Sequence, residues 1–100
     1  MEKMLIGIGF YRRDQYPLLL ETANDRDKLE DTYDEWLNTL KKGLKRFKSK
    51  GIKPVKVDVD MNELLAFCKE HGLENNGETR SQFFAQLLQQ GRWEKFKTDL

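Results

Sequence analysis

Between residues 27 and 50 the apolar positions keep step with a helix. Leu29, Tyr33, Trp36, Leu40, Leu44 and Phe47 are separated by 4, 3, 4, 4 and 3 residues. That spacing gathers all six on one stripe, which Leu37 widens. It predicts a long amphipathic helix over 27–50, stopped by Gly51 behind cations in its last turns. Residues 52–60, IKPVKVDVD, alternate instead. Val55, Val57 and Val59 point one way and Lys56, Asp58 and Asp60 the other, the pattern of a strand with one buried face. Pro54 at its start suits an edge, because it has no N–H to give a neighbouring strand. MLIGIGF, residues 4–10, is too short for a buried helix and predicts a strand covered on both faces.

Weaker signals fill in the rest. Pro17 is tolerated in the first turn of a short helix that fades near Thr22, Ala23 and Asn24. Asp60-Met61-Asn62-Glu63 has capping-box spacing and opens a helix carrying Leu64, Leu65, Phe67 and Cys68, which Gly72 closes with Leu73 behind it. A last helix over 78–90 carries Phe83, Phe84, Leu87 and Leu88 and ends at Gly91. The predicted order is β-α-α-β-α-α, an α+β fold of two short parallel strands and four helices, the second helix long and amphipathic. Residues 1–92 form a single α+β domain and 93–100 a C-terminal tail. Two strands joined through helices run parallel with a right-handed crossover. A two-stranded sheet is marginal in isolation. Either strands pair across a homodimer or helices cover the sheet edges of a monomer, and both arrangements stay open.

Composition narrows the class of protein more than its function. One hundred residues give room for one core. With 38% hydrophobic and 35% charged residues, much of the charge must lie on solvated helix faces, while 11% aromatic content argues against disorder. A net charge of +1 supplies no overall field toward nucleic acid or an anionic membrane. The single cysteine, Cys68, excludes an internal disulfide and fits a reducing compartment. No stretch reads as a signal peptide or a transmembrane span, so a cytoplasmic location and no membrane partner are expected.

The acidic run DRDKLEDTYDEW, residues 25–36, raises the question of a metal or proton-transfer site. Asp27 and Glu30 have capping-box spacing. The acids fill the first half of the predicted helix and Lys41, Lys42, Lys45, Arg46, Lys48 and Lys50 the second, in line with the helix dipole. A metal needs ligands converging on a point, whereas these carboxylates spread around several faces with no histidine nearby. They read as a helix start, and the two-signed surface suits a partner of opposite pattern or an antiparallel second copy. Cys68 and His71 share one helix face, but two ligands do not make a site. They read as a core cysteine beside a capping histidine. No catalytic residue, metal site or cofactor is predicted.

One constellation carries candidate chemistry. In a parallel pair both strands end on the same edge, so Arg12 and Arg13 are expected near Asp58, Asp60 and Asn62, where open parallel sheets place ligand clefts. Two arginines and a helix N-terminus would suit an anionic or phosphorylated compound. The alternative is a structural ion-pair cluster, and no glycine-rich phosphate loop accompanies the arginines. The lysine-rich KKGLKRFKSK would meet phosphates, but its Leu44 and Phe47 belong to the buried stripe. The absence of an aromatic platform argues against nucleic acid. Trp93, Phe96 and Leu100 in the tail are spaced to dock on the parent domain or on another protein.

Taken together, YRRDQY, DRDKLEDTYDEWL, VKVDVDMNELLAFCKEHGL and ETRSQFFAQLL resemble a family of small bacterial proteins of unassigned function, over about residues 5 to 90. The resemblance implies a bacterial cytoplasmic origin and carries over no catalytic residues. The expectation is a non-enzymatic interaction or regulatory module, contacting itself or another protein. The alternative is a small-ligand or enzymatic site at the strand ends.

Overall fold

The computed structural model describes residues 4 to 97. Strand β1 (Leu5–Tyr11) leads through helix α1 (Tyr16–Thr22) and a 3-10 turn (Arg26–Lys28) into helix α2 (Tyr33–Ser49). Strand β2 (Lys53–Val59), helix α3 (Met61–His71) and helix α4 (Gly77–Gln89) follow. The order is β-α-α-β-α-α, the strands are parallel, and α2 is the longest helix, as the periodicity predicts.

The register pairs Gly7 with Val55, Gly9 with Val57 and Tyr11 with Val59. One face of the sheet therefore sets three fully buried valines beside two glycines and a tyrosine. Burying each valine contributes about 1.5–3 kcal/mol, more than any one exposed ion pair, so this face fixes the fold. The glycines answer a specific need. A Cβ on Gly9 would lie 2.3 Å from the Phe84 ring, and one on Gly7 would lie 3.6 Å from Leu88 Cβ. Helix α4 thus lies almost against bare backbone. On the opposite face Phe10 meets Trp36 of α2 at 5.6 Å between ring centroids and Phe96 of the tail at 6.4 Å. The sheet is covered on both faces.

Helix α2 begins later than the stripe suggests. Thr32 is the N-cap, taking the Glu35 N–H at 3.1 Å. Asp27 lies in the 3-10 turn, and Leu29 is extended but still packed on the core. The capping box is Thr32 with Glu35, whose side chain reaches the Thr32 hydroxyl at 2.9 Å. The cause lies in the preceding loop, where the Tyr16 hydroxyl donates to the Glu30 carbonyl at 2.7 Å and holds that segment off the helix path. Elsewhere the end signals act as read: Asp60 caps α3, and Gly72, at φ +64, ends it with Leu73 N–H bonded to the Cys68 carbonyl at 2.8 Å.

The two sheet edges differ. Lys56 exchanges backbone bonds of 2.7 and 2.9 Å with Glu94, so the tail adds one antiparallel bridge along the outer edge of β2. Pro54, two residues earlier, has no donor to offer on that edge. Among the described residues β1 has no neighbouring strand on its other side. Since the Met4 carbonyl accepts from Lys53, alternation turns the peptide groups of Leu5, Gly7, Gly9 and Tyr11 outward. The Tyr11 carbonyl takes the Tyr33 hydroxyl at 2.6 Å. Among the described residues, no backbone group bonds Leu5, Gly7 or Gly9 on that side.

Candidate functional site

The residues expected at the carboxyl ends of the strands are only partly gathered. Arg12 follows β1 and its Nε stands 3.8 Å from Asp58 Oδ1, both side chains about half exposed. Arg13 turns the other way, donating to Asp34 at 3.0 Å with its guanidinium carbon 4.7 Å from the centre of the Tyr33 ring. Asp60 is occupied as the α3 cap, accepting from Asn62 N–H at 2.8 Å and Glu63 N–H at 3.4 Å. Asn62 itself is exposed and enters through its backbone. Gln15, just before α1, accepts from Met61 N–H at 2.7 Å and ties the β1 exit to the start of α3.

Arg92, between α4 and the tail, joins this neighbourhood although the expected strand-end cluster did not include it. Arg92 grips Glu63 with two bonds of 2.8 Å, and this contact holds the Glu63 carboxyl below its ordinary range. Trp93 packs against the core, and Lys56 reaches Glu94 at 3.3 Å. Between them lies a cleft of about 300 Å³ lined by Lys56, Asp58, Arg92, Trp93 and Glu94. Around it the cations Arg12, Lys56 and Arg92 face the carboxylates Asp58, Asp60, Glu63 and Glu94. Charge here is neutralised internally, and its clearest mechanical effect is to fasten residues 92–94 to β2 and α3. Leu100, the last of the predicted tail contacts, lies outside the described residues.

A second polar cluster went unread in the sequence. Arg80 on α4 is buried and forms bonds of 2.8 and 3.0 Å to the two oxygens of Asp25. It also donates to Asn75 Oδ1 at 3.0 Å, while Asn75 Nδ2 donates to Thr22 Oγ1 at 3.1 Å and Gly77 N–H to Asp25 at 3.0 Å. The Arg80 bond holds the Asp25 carboxyl below its ordinary range. Arg80 precedes Phe83, Phe84 and Leu87 by three, four and seven residues, on the buried stripe itself. An arginine at such a position requires a buried acid.

Other reactive groups are accounted for. The Cys68 thiol is buried, which pushes its pKa up, and His71 stands over Phe67 at 4.5 Å between ring centres. Tyr16 is pushed up to about 12 by burial. Among the described residues no three His, Cys, Asp or Glu side chains gather as metal ligands, and no helix is long and apolar enough to cross a membrane. No protein family, curated protein or solved structure matches the chain.

Proposed function

We propose that this chain is a small non-enzymatic interaction module that pairs with a second copy along the open edge of β1. The observation that carries the reading is the row of outward peptide groups at Leu5, Gly7 and Gly9. An unpaired edge of a two-stranded sheet is a template for another strand. Met4 is 73% exposed and Leu5 39%, and they are two of the three large hydrophobic residues exposed among those described. Two copies of β1 related by a two-fold axis would pair antiparallel and give a four-stranded sheet with the order β2-β1-β1-β2.

Light scattering over a concentration series tests it. The dimer mass is expected for the native chain, and the monomer mass for Met4→Lys with Leu5→Lys, with the melting temperature of the dissociated fold preserved. A native chain that stays monomeric at millimolar concentration defeats the reading.

The alternative, an anionic ligand at the strand ends, retains one supporting observation. Arg12 is half exposed, and its 3.8 Å approach to Asp58 exceeds a hydrogen bond. Thermal-shift measurements with phosphate and nucleotides, repeated on Arg12→Ala, decide it; a ligand at 100 times its dissociation constant adds about 2.7 kcal/mol.

A further inference from the structure

The cations of this protein fall into two groups. Arg12, Arg13, Arg26, Lys56, Arg80 and Arg92 each stand within 4 Å of a carboxylate. Lys41, Lys42, Lys45, Arg46, Lys48 and Lys50, all exposed on the second half of α2 or just beyond it, pair with no described carboxylate. Two acids of the opposite end, Asp31 and Asp34, are meanwhile taken by Arg26 and Arg13. The +1 net charge therefore conceals one end of the molecule that is strongly positive.

A cleft opens at that end. It holds about 410 Å³ and is lined by Lys48 of α2, Ile52, Lys53 and Pro54 at the start of β2, and Lys95 and Phe96 of the tail. Three lysines line an apolar floor with no carboxylate among the described lining residues, and the floor includes the half-buried ring of Phe96. Lys41, Lys45 and Lys48 lead away from it on one flank of α2, at rises of roughly 6 and 4.5 Å along the axis. The aromatic platform that KKGLKRFKSK lacks in the linear sequence is thus brought to it by the tail.

We propose that this cleft and the flank of α2 bind single-stranded nucleic acid, one base resting on Phe96 and the phosphates following Lys53, Lys95, Lys48, Lys45 and Lys41. The cleft is sized for a single flat base, where a protein helix would not enter. A base held inside a duplex cannot reach the floor, so single strands are preferred. The surface lies beyond the outer edge of β2, away from the open edge of β1, so binding is independent of self-association.

Fluorescence anisotropy of a labelled 12-nucleotide oligothymidine with the full chain tests this. Binding at 50 mM salt is expected to weaken roughly 100-fold at 200 mM if five phosphates are neutralised, one for each of the five lysines. Phe96→Leu keeps apolar area but removes the ring face, and should weaken binding by about 5-fold or more. Lys48→Glu with Lys53→Glu and Lys95→Glu should abolish it, while Lys28→Glu with Lys69→Glu, on other elements, should not. Circular dichroism melts of each variant establish that it is folded. The proposal is overturned by no binding at 50 mM salt with 100 μM protein, by unchanged affinity in Phe96→Leu, or by a duplex of equal length binding as tightly as the single strand.

Discussion

Arg80 holds both carboxylate oxygens of Asp25, at 2.8 and 3.0 Å, across 55 residues of chain. The pair closes the loop after α1 onto the first turn of α4, and with Asn75, Thr22 and Gly77 it leaves no buried side-chain polar atom unpartnered among the described residues. Removing the arginine alone strands a largely buried carboxylate. Arg80→Ala is expected to cost about 3–5 kcal/mol. Asp25→Ala with Arg80→Ala should cost clearly less than the sum of the two single changes. Urea unfolding of all four chains checks both statements, and simple additivity would show that the two residues act separately.

The same contact makes stability depend on acid. Arg80 holds the Asp25 carboxyl below its ordinary range, so the unfolded chain binds this proton more readily than the folded one. Stabilisation from Asp25 is complete above the unfolded carboxyl value of about 3.9 and is lost as pH falls through the lower native value. Glu63, held low by Arg92 but more exposed, acts in the same direction and more weakly. Asp25→Asn should melt below the native chain at pH 7, and the gap should narrow below about pH 4. A gap that stays constant from pH 7 to pH 2 would remove Asp25 as the cause.

Glycine-to-alanine changes should have opposite signs at two positions. At Gly9 the new methyl meets the Phe84 ring, and overpacking should cost about 1–3 kcal/mol, partly recovered by Phe84→Leu in the same chain. At Gly43, inside α2, nothing lies within 4 Å of the added carbon, and Gly43→Ala should stabilise by about 0.5–1 kcal/mol. Denaturant midpoints separate the two outcomes.

The start of α2 can be located by mutation. Thr32→Ala removes the side chain that accepts from Glu35 N–H and should cost about 0.5–2 kcal/mol. Asp27→Ala, in the exposed 3-10 turn, should stay within about 0.5 kcal/mol. A larger loss at Asp27 than at Thr32 would put the helix start where the apolar spacing alone suggests.

The strands and helices were readable because each carries an unbroken period: three alternating valines in β2, and Tyr33 through Phe47 on one stripe in α2. The start of α2 was misread because Leu29 falls in step with that stripe while its backbone is extended, and side-chain spacing does not register φ and ψ. The strand-end cluster was readable only as a neighbourhood. Parallel topology put Arg12 beside Asp58, but Arg13 found Asp34 and the Tyr33 ring, a choice set by tertiary geometry. Arg92 was hidden because its partner Glu63 lies 29 residues away on another element. Arg80 did leave a trace, a charge at a stripe position, and that trace identifies a buried partner without naming it. Gly7 and Gly9 lack a phosphate-loop fingerprint, and the structure gives their reason as the close approach of α4.

The bridge between Lys56 and Glu94 has a bearing on how growth of an assembly would stop. With residues 92–97 in place Lys56 of β2 is already paired, and Leu5, Gly7 and Gly9 of β1 form the longest row of unpaired outward peptide groups among the described residues, so the proposed pairing through β1 would take up the main adhesive rim and stop at two subunits. Cutting the chain after Gly91 would bare a second rim opposite the first, and a particle with two such rims has no built-in end point. The short segment after α4 would then be a terminator, separating a finite complex from an open fibre.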